Sequence, residues 1–61
     1  MRLRRYKGDG KGERVIYPPF STTRYARAVK QSASGTFTMI EHGSGSAYAS
    51  YWVPTRALKV R

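Results

Sequence analysis

Side chains able to do acid–base, nucleophilic or metal chemistry are scarce in this 61-residue chain, and the ionisable groups that abound are cations. His42 is the single histidine. It stands next to Glu41, so in a strand the two point to opposite faces, and no second metal ligand has useful spacing. The chain has no cysteine, which removes disulfides, thiolate chemistry and Cys-based zinc sites. Asp9 and Glu41 are carboxylates that nothing in the sequence brings together as an acid–base pair. The run Gly8-Asp9-Gly10-Lys11-Gly12 has backbone N–H groups that could wrap a phosphate. It lacks the GxxxxGK[ST] spacing and the following helix of a nucleotide-binding loop, and reads as a mobile hairpin tip whose Lys11 touches a backbone phosphate. The expectation is a protein with no catalytic residue, no metal and no cofactor, and not an enzyme.

Charge points elsewhere. Twelve Lys and Arg against three acids give a net charge of +9 and a pI near 10.7. Nine of the twelve cations, and two of the acids, fall in residues 1–31, and no Lys or Arg occurs from Gln31 to Thr55. Such imbalance costs a compact domain self-repulsion, and it is the electrostatic footprint of polyanion binding. Nucleic acid, DNA or RNA, is the expected partner. Arg2, Arg4, Arg5, Lys7, Lys11, Arg14, Arg24, Arg27 and Lys30 are expected to neutralise phosphates. Tyr6, Tyr48 and Trp52 are expected to contact bases or sugars. Two other readings stay open: a phage-type inhibitor or interaction module that docks on an acidic protein, and a structural subunit that oligomerises, the chain being a monomer or homodimer. Phage-like character is an analogy from the size and charge of the chain. No apolar run approaches the ~18 residues of a membrane span, and the basic start Met1–Lys7 is not followed by a signal-peptide stretch. A soluble, cytoplasmic protein without membrane contact is expected.

These side chains must be positioned by a very small fold. A chain of this length buries only about 60% of its unfolded surface, which leaves room for one domain, 1–61, and no deep cavity. Residues 2–7 and 13–17 read as short strands around the glycine-rich tip, the second ended by Pro18-Pro19. Residues 25–31, 36–42 and 47–53 are runs of equal length separated by Ser/Gly turns, which reads as a three-stranded meander. Alternation assigns Val29, Phe37, Met39, Tyr51 and Val53 to the core, with Leu3, Val15, Tyr17, Leu58 and Val60. Trp52 is thereby left facing outward. Tyr17-Pro18-Pro19-Phe20 reads as a stiff connection whose rings pad the core. Ser21 as a cap before Thr22–Gln31 also suits a short helix at 22–32.

The last eleven residues, from Tyr51-Trp52-Val53-Pro54 through Arg61, resemble the close of an SH3-like barrel, in which a Pro starts one helical turn that leads into the final strand. Their basic form, Val53-Pro54-x-Arg56 with Lys59 and Arg61, is similar to the end of the DNA-binding C-terminal domain of retroviral integrases. That resemblance implies that Arg56, Lys59 and Arg61 lie beside nucleic acid. The acidic loop that peptide-binding SH3 domains use has no counterpart here. The stretch from Gly45 to Pro54 also resembles the end of the KTSC family, a small bacterial and phage domain. The expected fold is all-β, an SH3-like barrel or a strongly bent five-stranded antiparallel sheet.

Overall fold

The computed structural model of the chain describes residues 2–43 and 49–61. The equal-length runs become strands: β3 is Ala26–Gln31, β4 is Phe37–His42 and β5 is Ala49–Pro54. They pair antiparallel in that order, and β2, Glu13–Val15, adds to the outer side of β3. A second sheet of two strands pairs β1, Arg4–Arg5, with β6, Lys59–Val60. The protein is therefore all-β, but its sheets do not close into a barrel. They are joined by one bridge, in which Ile16 and Lys59 exchange N–H···O bonds of 2.8 Å.

The segment 22–32 is not a helix. Ser21 does accept hydrogen bonds from the N–H groups of Thr23 and Arg24, but they close a turn rather than open a helix. Ala26 and Ala28 then alternate inward with Arg27 outward, and β3 gains ladder partners on both sides. Two ladders outweigh the modest helical preference of a segment whose Tyr25, Thr23 and Val29 are poor helix formers.

The core lies under the inner face of the four-stranded sheet: Tyr6, Val15, Ile16, Ala26, Ala28, Ile40, Val53 and Leu58 are buried, with Tyr17 and Val60 packed against them. The face assignment of β4 is the reverse of the one read from the sequence. Thr38 and Ile40 point inward, while Phe37 is exposed and Met39 half-buried. A buried hydroxyl costs free energy unless bonded, and Thr38 shares a 2.7 Å bond with the Thr55 hydroxyl, which donates to the Gly35 carbonyl. That network ties the β3–β4 turn to the segment after β5. Tyr51 is exposed instead of buried, and Val29 and Leu3 are half-buried. After Pro54 a single 3-10 turn, Thr55–Ala57, carries the chain to β6. No helix among the described residues is long and apolar enough to cross a membrane.

Candidate nucleic-acid interface

Cross-strand register places side chains of one face in rows. On the outer face of the four-stranded sheet one row runs Arg14, Arg27, Glu41 and Ser50, a second Lys30, Met39 and Trp52, and a third Phe37 and Pro54. Lys30 belongs there only because of a bulge. Ala28 pairs with Ile40 and Lys30 with Met39, so Val29 is an extra residue in β3. Regular pairing would have put Lys30 opposite Thr38, on the core side; a bulge re-aims the side chain that follows it. Tyr25, two residues before Arg27, continues the same alternation.

Three rings of the described residues stand open on this face: Trp52 is 49% exposed, Phe37 47% and Tyr25 43%. Among the described residues none of the three packs against another ring, and two are faced by cations instead. The Arg14 and Arg61 guanidiniums lie 5.5 and 5.6 Å from the Tyr25 ring centre, and Lys30 Nζ lies 5.9 Å from that of Trp52. Cation–π contacts at such exposed sites are worth about 0.5–1 kcal/mol each. Arg14 and Arg27 are direct cross-strand partners. Like charges in that relation are destabilising. Among the described residues the one ion pair is Lys11–Asp9, 3.4 Å, on the surface. Glu41, although opposite Arg27, makes none. An open groove of about 550 Å³ runs between Arg14, Tyr25, Arg27, Glu41 and Gly43. The arrangement can hold anions against the guanidiniums and flat rings against Trp52 and Tyr25.

The glycine-rich segment does something other than expected. Its N–H groups wrap the chain's own Glu13 carboxylate: Asp9 N–H donates to Oε2 at 3.0 Å and Lys11 N–H to Oε1 at 2.6 Å. The Tyr6 hydroxyl donates to Oε2 at 2.9 Å and accepts from Gly10 N–H at 2.9 Å. Burial raises the Glu13 carboxyl, but bonds from its own N–H, the Tyr6 hydroxyl and the Lys11 and Asp9 N–H groups outweigh it and hold the group at about 2. Tyr6 is pushed up to about 12, chiefly by burial and then by its bond to Glu13 and the carboxylate charge, against the opposing bond from Gly10. A side chain at Gly8 would overlap the carboxylate and the Tyr6 ring, and Gly10, at φ +75°, lies on the Lys30 backbone. Gly12 N–H reaches the Ala28 carbonyl at 2.6 Å and the Gln31 amide reaches the Gly8 carbonyl at 3.0 Å. The loop is docked along the bulged stretch of β3 rather than held out as a tip.

Of the residues read from the sequence as contacts, Arg14, Arg27, Lys30, Trp52 and Arg61 come together at the outer face. Arg2, Arg4, Arg5 and Lys7 are exposed on or beside the small sheet, where Arg4, Arg5, Lys7 and Val60 line a second open groove of about 620 Å³. Arg24 and Arg56 are exposed in turns, and Lys11 is exposed on the docked loop. Lys59 is half-buried, with its backbone tied to Ile16. Tyr6 is only 4% exposed, a core ring whose hydroxyl is fully engaged, so it does not stand on a ligand face. Tyr48 lies outside the described residues. Two exposed rings carry no sequence signal of this role: alternation assigns Phe37 to the core, and Tyr25 opens the run 25–31 with nothing local to mark it as a contact.

Comparison with protein-family models, with curated proteins and with solved structures finds no match for this chain.

Proposed function

We propose that this protein is a non-catalytic nucleic-acid-binding protein that acts in the cytoplasm through the outer face of its four-stranded sheet. One observation carries the reading: three half-exposed rings and the unpaired cations Arg14, Arg27, Lys30 and Arg61 share one open face. Phosphates suit the cations. Bases suit the rings, since stacking is worth about 1–3 kcal/mol per base. The side-by-side placement of Arg14 and Arg27 costs stability in the free protein, and a phosphate between them reverses that cost. The cations around Arg4, Arg5 and Lys7 extend the positive field and speed encounter. An acidic protein would satisfy the cations but leave flat rings without flat partners. In a titration of labelled oligonucleotide, log K is expected to fall with log salt with a slope of about −3 to −4.5, as four to five neutralised phosphates require. Absence of binding at low salt, or a slope near zero, overturns the proposal.

A further inference from the structure

We infer that the outer face takes single-stranded nucleic acid in preference to duplex, with separate bases on Trp52 and Tyr25 and the backbone along Arg14, Arg27 and Lys30. This rests on the nucleic-acid reading and narrows it to a substrate class. A ring on a sheet stacks only on a base whose own face is free, and in a duplex those faces are covered by neighbouring pairs. Direct reading of a duplex instead needs an element that enters the major groove, about 12 Å wide and 8.5 Å deep. The described residues contain no α-helix, and two described turns between strands are tied down rather than held out as a ribbon. The 8–12 loop is bonded to β3, and the turn between β3 and β4 is bonded to Thr55.

Spacing points the same way. Along β3 and β4 the Tyr25 position and the Lys30–Trp52 row are four ladder steps apart, about 13 Å at roughly 3.3 Å per residue. Bases that reach both rings are therefore distinct bases, splayed from an extended strand. Lys30, now over the Trp52 ring, is an exposed and rotatable side chain that a base displaces towards the adjoining phosphate. Because every base has a π-face, little sequence preference is expected.

Trp52 is the only tryptophan, so its emission reports on this site alone. The intact protein is titrated at low salt with a 12-nucleotide oligo-dT and with the oligo-dT·oligo-dA duplex of the same length. Expected are at least tenfold tighter binding of the single strand, quenching of Trp52 emission by it, and a loss of about 5- to 150-fold in that affinity on Trp52→Ala. Trp52→Phe, which keeps a smaller stacking surface, should retain an intermediate affinity and guards against a folding defect in the alanine variant. Equal or tighter duplex binding, or single-strand binding without quenching, overturns this inference while nucleic-acid binding stands. No binding of either probe overturns the underlying function.

Discussion

Phe20 and Trp52 are equally exposed, 50% and 49%, yet they sit in opposite company. Phe20 follows the Pro18-Pro19 turn and meets other rings edge-on, Tyr17 at 4.8 Å and Tyr51 at 5.1 Å between centres, with His42 at 6.2 Å. Tyr51 and His42 share the inner side of β4 and β5 with Ile40, so this group shields the margin of the core. Edge-to-face pairs of this kind add about 0.5–1.5 kcal/mol beyond burial. Trp52, on the other side of β5, meets no ring among the described residues and faces an ammonium. Accessibility therefore does not separate a structural ring from a binding ring. The neighbours do: Phe20 at the margin of the core is partnered by rings, whereas Trp52 and Tyr25 on the proposed ligand face are partnered by cations.

The sharpest way to break the comparison is to strip the cations from one side of it. Replacing Arg14, Arg27, Lys30 and Arg61 together by Ala should lower oligonucleotide affinity on the order of a hundredfold or more near 0.1 M salt, and flatten the salt slope by about 3. The melting temperature should fall only slightly, because relief of the Arg14–Arg27 repulsion offsets part of the three cation–π contacts that are lost. Next in size is the contrast between the two rings. Equally exposed, Phe20→Ala and Trp52→Ala should each cost about 2 kcal/mol of folding, roughly half of what a fully buried ring loses, and Phe20→Ala about 1 kcal/mol more through its edge-to-face contacts. Urea unfolding of the pair decides it, and equal losses would erase the distinction between the two groups.

Titration sharpens the picture on a third front, the Glu13 cage. Glu13 is held at about 2, below its ordinary 4.5, so the stability it contributes is complete above about pH 4.5 and is lost as pH falls towards 2. Tyr6, raised from 10.0 to about 12, contributes fully below pH 10 and loses that contribution as pH climbs to 12. Urea midpoints followed across pH should fall at both ends. Glu13→Gln should flatten the acid limb and Tyr6→Phe the alkaline one. The smallest effect is expected from Arg2, Arg4 and Arg5, exposed at the start of the chain. Their joint replacement by Ala should change folding by no more than about 0.5 kcal/mol, and it should weaken binding several-fold less than the outer-face variant in the same titration.

Much of the fold was written in local pattern, and the places where it was not are instructive. The equal runs, the prolines and the Ser/Gly turns announced β3, β4 and β5, and the outward Trp52 followed from Val53 facing the core. The frame of β4 was illegible because Thr36-Phe37-Thr38-Met39-Ile40 alternates plausibly either way. What settles it is Thr55, seventeen residues on, which offers Thr38 a partner. Tyr6 looked like one more member of a basic strand, since nothing local says that the chain turns inward after Arg5. The glycine-rich loop looked free because the acid that binds it down, Glu13, does so together with that same misplaced Tyr6. Of the interface, the cations were legible from composition. That Lys30 joins Arg14 and Arg27 on one face was not, because it depends on a bulge that no residue between Ala28 and Lys30 advertises.

That bulge gives β3 an unequal tolerance for changes in length. Taking Val29 out leaves Ala28 opposite Ile40 and Lys30 opposite Met39, so every later side chain keeps its present side and the outer face survives. Adding one residue at the same point while Val29 stays bulged turns Lys30 onto Thr38 and drives an ammonium into the core, whereas fully regular pairing sets Lys30 opposite Phe37, on the outer face but two residues out of its present register. Deletion and insertion here are thus not mirror images. The first loosens the seat of Gly10 and the glycine-rich loop; the second forces a choice between a buried charge and a shifted register at the β3–β4 turn.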